Sequence, residues 1–276
     1  LNGDEIAAQI VLPPSLAKDW YNRGYYGSMS FNSRAVYQRY MGWYDANPAH
    51  LAPAPPVETG RRYVAAMGGA AKVRELAATA AATGDYAWAA TLLNHAVMAD
   101  SADKASKAQL AAAYEQMGYQ TENAIWRNMY LTAADELRDG VRKLPASLAP
   151  LDILKGLSSE MIFDLLAVRL NGDKVGDGAV KLAFVFPDRN ERFVVEVRNR
   201  VLVAERAKGG ETVDATLTVA RPVFLDSLFQ GTSLVGKVLT GQVKIEGDRS
   251  AFGRLTGWFD TFPTDFPIVT RPEPAR

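Results

Sequence analysis

Residues 70–97, AAKVRELAATAAATGDYAWAATLLNHAV, and residues 107–126, KAQLAAAYEQMGYQTENAIW, decide the fold of the first half. Leu76-Ala77 and Leu110-Ala111 stand 34 residues apart, as do Gly84 and Gly118. That period belongs to tetratricopeptide-like helix pairs. Alanine favours helix because it loses no side-chain freedom there. Small residues allow close helix contact, and each glycine is expected to mark a turn. Three or four antiparallel helices are predicted between Ala70 and about Gly140. Alanine supplies little buried area, so Trp88, Leu92, Tyr114, Trp126 and Tyr130 are expected to provide much of that core.

Upstream, Asp4 is expected to cap a helix over Glu5–Ile10 that Pro13-Pro14 ends, and Ser15 to cap the next, with Leu16, Trp20 and Tyr21 on one face. Val36, Tyr37, Tyr40, Met41 and Tyr44 recur at helical spacing, stopped by Asn47-Pro48. A proline-rich connector, His50 to Pro56, precedes a helix from Val57 to Met67 that Gly68-Gly69 ends.

Downstream the pattern changes. Leu144 to Pro150 reads as a linker, and a helix with a Ser158 or Ser159 cap follows to Leu170. The period then becomes two, predicting an antiparallel meander from Ala179 to Ala220. Pro222–Leu228 reads as helix, GQVKIEGD (241–248) as strand, and Ser250–Trp258 as a closing helix or turn. The tail, DTFPTDFPIVTRPEPAR (260–276), is too proline-rich for regular structure, but Phe262, Phe266 and Ile268 are costly to expose together. The fold class is therefore multidomain: an all-α region over 1–145 and an α+β region over 150–276.

Composition narrows the function classes. With 31 basic and 31 acidic side chains the formal net charge is zero, so nothing in the composition steers the chain toward nucleic acid, whose binding usually needs a basic face. The chain lacks cysteine and has two histidines, His50 and His95, so neither a cysteine-based nor a multi-histidine metal site can be built within it. No signal peptide or transmembrane segment is visible, so a soluble protein is expected, with the compartment left open between cytoplasm and, where the full protein carries a signal peptide, periplasm or secretion. The opening, LNGDEIAAQIVLPPSL (1–16), reads as the middle of a protein.

Tyr25 to Pro48, YYGSMSFNSRAVYQRYMGWYDANP, holds six Tyr and Trp residues, with Gly, Ser and Asn near its ends. That mixture suits a packed interface or the wall of a substrate pocket. Ser28, Ser30 and Ser33 have no nearby histidine to form a triad. Arg23, Arg34 and Arg39 could hold an anion or make interface ion pairs, and the interface reading is preferred. LVGKVLT (234–240) lacks phosphate-loop spacing, and Asp173 and Asp177 read as a solvated turn. His95 reads as a polar helix residue satisfied by a neighbour. In the second region Leu165, Leu166, Phe184, Phe186, Phe193, Phe224 and Phe229 could line an apolar tunnel or fill an ordinary core.

YYGSMSFNSRAVYQRYMGWYDANPAH (25–50) resembles the metal-dependent alkylsulfatases, whose catalytic domain is of metallo-β-lactamase type. VETGRRYVAAMGGAAKV (57–73), GDYAWAATLLNHAV (84–97), YEQMGYQTENAIWRNMYLTAADELR (114–138) and GWFDTFPTDFPIV (257–269) are similar to the same family in the same order. The resemblance implies a helical dimerisation domain followed by a sterol-carrier-protein-2-like C-terminal domain. The family's HxHxDH motif and two zinc ions belong to a catalytic domain, and the motif does not occur in this chain. A homodimer, an alkyl sulfate or other apolar-tailed small molecule, and a metallo-β-lactamase-type domain are the implied partners. The whole enzyme would hydrolyse alkyl sulfates to alcohol and sulfate, and this chain alone would be inactive. The family's YYGSxS-H-N segment approaches the cleft, and its histidine is a candidate to assist the leaving alcohol. Phe31 stands at that position, so Tyr26, Phe31, Asn32 and Tyr37 are the implied cleft-lining residues, with Tyr26 or Tyr37 as alternative donors. The alternative class is a non-enzymatic apolar-ligand-binding or protein-interaction module.

Overall fold

A computed structural model describes residues 1–143, 151–229 and 234–271. The expected linker at Leu144 to Pro150 lies outside them. The chain divides into two units, Leu1–Lys143 with Asp265–Arg276, and Leu144–Thr264.

The first unit is helical. It runs α1 (Gly3–Gln9), α2 (Pro14–Ala17), a 3-10 turn (Trp20–Asn22), α3 (Met29–Met41), a second 3-10 turn (Pro48–His50), α4 (Pro56–Ala66), α5 (Ala70–Ala82), α6 (Tyr86–Ala99), α7 (Lys104–Gln120) and α8 (Ala124–Asp139). Side-chain oxygens of Asn2, Ser28, Asp85, Asp103 and Asn123 each accept a first-turn N–H. These caps satisfy donors that no earlier carbonyl can reach. They also correct two boundaries. Asn2 and Glu5 form a reciprocal capping box, so α1 starts before Asp4. Ser15 lies inside α2, which starts at Pro14, where a missing N–H costs nothing.

α4 packs on α6, α5 on α6, α6 on α7, and α7 on α8. Their core is alanine-rich: Val73, Ala77, Ala89, Leu93, Ala96, Val97, Leu110 and Ala111 are among its buried members. Leu92 joins it and Tyr114 packs at its edge, but Trp88 is 52% exposed and Trp126 and Tyr130 are half-buried. The closest approaches between these helices fall at glycine. A Cβ on Gly60 would lie 2.7 Å from the His95 carbonyl oxygen, and one on Gly118 2.9 Å from Leu131. Gly118 is thus a contact glycine inside α7 rather than a turn. Gly84, at φ +82°, is the turn.

The second unit contains α9 (Leu151–Gly156), α10 (Ser159–Arg169), α11 (Gly172–Val175), β1 (Val180–Phe186), β2 (Glu191–Arg198), β3 (Val201–Arg206), β4 (Ala215–Val219), α12 (Arg221–Phe229), α13 (Leu234–Leu239), β5 (Val243–Gly247) and α14 (Arg249–Gly257). The sheet order is β3-β2-β1-β4-β5. Three strands form the expected antiparallel meander. The fourth does not follow, because β4 crosses to the free edge of β1 and pairs with it in parallel. Alternation records which face a side chain takes, not which strand it pairs with. Asp214 pins the crossing: its N–H donates to Lys181 O at 2.8 Å, and its carboxylate accepts from Lys181 N at 2.8 Å.

Phe262, Phe266 and Ile268, expected to pack, are each more than half exposed. Val269 reaches the helical core instead. Beside it Glu136 accepts the N–H groups of Ile268, Val269 and Thr270 at 2.9–3.1 Å. Among the described residues no helix is long and apolar enough to cross a membrane.

Candidate functional site

α3 has thirteen residues and none is buried. On it and beside it, Tyr26 is 80% exposed, Tyr40 82%, Met41 66% and Trp43 71%. Apolar surface concentrated in this way marks an interaction site more often than a free surface. Two anchors hold the segment. α1 packs along α3, with Gly3 against the Tyr37 ring and Asp4 paired to Arg34 at 2.6 Å. At the other end, Arg23 pairs with Glu122 at 2.6 Å, and Asn123 and Ala124 donate to the carbonyls of residues 24–26.

Of the four cleft-lining candidates, Tyr26, Phe31 and Asn32 gather around the N-terminus of α3. Tyr37 lies further along the helix, committed to α1. Asn32 borders a hollow of about 320 Å³ with Arg23, Ser28 and Glu122. Tyr37 borders another of about 490 Å³ with Arg34, Trp43 and His50. The Phe31 ring stands edge-to-face with Trp126, centroids 6.2 Å apart. The nearby serines are occupied locally: Ser28 caps α3, Ser30 accepts from Arg34, and Ser33 donates to the Ser30 carbonyl.

Neither histidine joins a catalytic set. His50 Nδ1 lies 2.7 Å from Asp45 Oδ2. The Asn47 N–H and then His50 hold the Asp45 carboxyl below its ordinary value. His95 stacks on Tyr63 at 4.5 Å, and burial pushes its pKa down. Asp173 is 98% exposed at its side chain, so the expected solvation holds, but it lies in the short helix α11 rather than in a turn. Among the described residues no three His, Cys, Asp or Glu side chains cluster closely enough to hold a metal ion.

In the second unit Leu166, Phe184, Phe186, Phe193 and Phe224 are each at most 3% exposed. Phe163 touches all four of those rings, at 5.1–6.3 Å between centroids. They close on one another as a filled core. Phe229 packs at its margin, while Leu165 is 39% exposed. Rings in contact at these distances pack as in an ordinary protein interior.

Two features escaped sequence reasoning. One is Asn123, 5% exposed, whose partners Gly24 and Tyr26 are 99 and 97 residues away. An asparagine before an apolar helical run signals a cap, but not its distant partners. The other is Arg221, also 5% exposed, which donates to the carbonyls of Lys155 and Leu157 and to Ser159 Oγ.

Residues 2–140 match a family model described as alkyl sulfatase dimerisation, and residues 147–271 one described as alkyl sulfatase C-terminal. The chain is 44% identical over 266 residues to the (R)-specific secondary-alkylsulfatase of Pseudomonas sp., covering 96% of this chain and 40% of that protein. It is 40% identical over 267 residues to a linear primary-alkylsulfatase of Pseudomonas sp., again 96% of this chain and 40% of the relative. The chain thus spans about 40% of the length of these curated relatives. The solved structure of a stereoselective inverting sec-alkylsulfatase from Pseudomonas sp. superposes with a TM-score of 0.90 at 44% identity, covering 98% of this chain and 42% of that one.

Proposed function

This chain belongs to the alkylsulfatase family, whose dimerisation and C-terminal regions it matches, and we propose that it is the non-catalytic dimerisation and apolar-substrate-handling portion of an enzyme that hydrolyses alkyl sulfate esters. The observation that carries the proposal is α3, a helix with no buried residue and large rings left accessible along it. A helix of that kind adds little to its own core and is suited to a partner surface. In this reading a binuclear zinc site outside the chain supplies the hydrolytic chemistry.

The roles left to these residues are shape and exclusion of water. Phe31 can pack against an alkyl tail but cannot deliver a proton to a leaving alcohol. Tyr26, exposed and next to the α3 N-terminus, is better placed than Tyr37 to face that partner surface, because Tyr37 is engaged with α1. The tetratricopeptide-like reading of the helical unit and the sterol-carrier-protein-2-like reading of the second unit belong to the same proposal. Substrate handling by the second unit would require the phenylalanine core to open, since its rings fill it. A purely ligand-carrying module would face the same requirement without the family relationship to support it.

The test is an assay of this chain with dodecyl sulfate and added zinc. No turnover is expected. Clear release of sulfate would overturn the placement of the chemistry outside the chain.

A further inference from the structure

We propose that Asn123 is a positioning residue that fixes the Tyr25–Asn32 wall of the substrate cleft, an assignment that rests on the alkylsulfatase reading above. Its amide Nδ2 donates to Gly24 O at 2.9 Å and to Tyr26 O at 2.8 Å. Between them Ala124 N donates to Tyr25 O at 2.8 Å. Three successive carbonyls are therefore received by two adjacent residues at the start of α8. The ion pair of Arg23 with Glu122, at 2.6 Å, extends the match by one residue on each side. Trp126, one turn into the same helix, supports the Phe31 ring. A single helix start thus sets the path of the backbone under Tyr26 and the seat of Phe31.

The chemistry demands asparagine. Its Oδ1 accepts from Trp126 N at 3.0 Å and caps α8, while both amide hydrogens face carbonyls. Aspartate or serine could cap, but neither offers two N–H donors beside an acceptor. Asn123 is 5% exposed, so water is poorly placed to replace it. Gly24 fits the resulting turn, since a Cβ there would lie 3.1 Å from Gly27 O.

Cap and clamp can be separated. Asn123→Asp keeps the cap and loses both donors, turning a carboxylate toward two carbonyls. Asn123→Ala loses both functions. Hydrogen–deuterium exchange on this chain would follow residues 24–32 and, as control, the body of α8. Steady-state kinetics with dodecyl sulfate would use the same variants in the protein that joins this chain to its metal-bearing domain. In Asn123→Asp, exchange across 24–32 should rise about tenfold or more, as expected for two lost hydrogen bonds, with α8 unchanged. KM should rise about tenfold with kcat held within about twofold, because the segment contributes surface rather than proton transfer. Unchanged exchange at 24–32 would overturn the clamp. Raised exchange with unchanged KM would overturn the positioning role. Absence of turnover in the unsubstituted protein would instead sink the alkylsulfatase reading and the cleft role with it, leaving exchange to judge the clamp alone.

Discussion

Gly60 and Gly118 are both contact glycines, but they face different neighbours. A methyl group on Gly60 would meet the His95 carbonyl and the Ala99 nitrogen, which are backbone atoms of α6. Backbone in a packed helix cannot move aside, so Gly60→Ala should cost about 1–3 kcal/mol in urea unfolding. The same change at Gly118 meets the end of the Leu131 side chain, which can rotate, so it should cost clearly less. Phe163 presents the opposite case. It is 1% exposed and touches four other rings, so Phe163→Ala should cost about 3–5 kcal/mol. Of these three residues the sequence singled out Gly118 alone. The repeat marked it, but as a turn, because a glycine in a turn and a glycine under a neighbouring helix leave the same letter. Phe31 was legible only through the family resemblance, and its support by Trp126 only through the structure.

Helices were more legible than their connections. Alanine runs, glycine stops and short polar caps are local signals, and α4 to α8 and α10 fell where those signals lay. Sheet order is not local. Nothing in the alternation of β4 says that it leaves β3 for β1, because the Asp214–Lys181 contact joins residues 33 apart. Similarly, Asp103 caps α7, and its carboxylate also binds Arg74 of α5 at 2.6 Å and the Ser106 hydroxyl at 2.7 Å, contacts that no local signal carries. Burial pulls the Asp103 pKa up, yet Ser106 and Arg74 outweigh it and hold the carboxyl below its ordinary 3.8. A depressed folded value means that the ionised form favours the native state. The stabilisation is complete well above pH 3.8 and is lost as pH falls through the folded value. Asn caps as well as Asp, so Asp103→Asn isolates the charge. It should lower stability by about 1 kcal/mol at neutral pH. Denaturant curves from pH 7 down to about pH 2 should show the deficit shrinking as the native carboxylate protonates. A deficit independent of pH would assign the effect to packing.

At the scale of the molecule, the exposed aromatic segment is the feature the monomer does not explain. Its rings add almost nothing to the alanine core, so selection for monomer stability gives no reason for them. A self-complementary dimer does, since a stable interface needs about 800 Å² per partner, with aromatic residues and arginine enriched at its centre. The family model matched over residues 2–140 is a dimerisation model, which agrees with that reasoning. Light scattering at micromolar concentration should therefore report twice the chain mass. Tyr40→Glu combined with Trp43→Glu places two charges where the chain exposes 82% and 71% of the native residues. In a monomer such exposed substitutions should change stability by less than about 0.5 kcal/mol each. At an interface they bury unpaired charge and should shift the mass to that of one chain. The diagnostic result is a halved mass with α-helical circular dichroism intact. If the unsubstituted chain is a monomer, or if the double variant remains a dimer, the contact surface lies elsewhere and α3 must be read as a wall facing another domain.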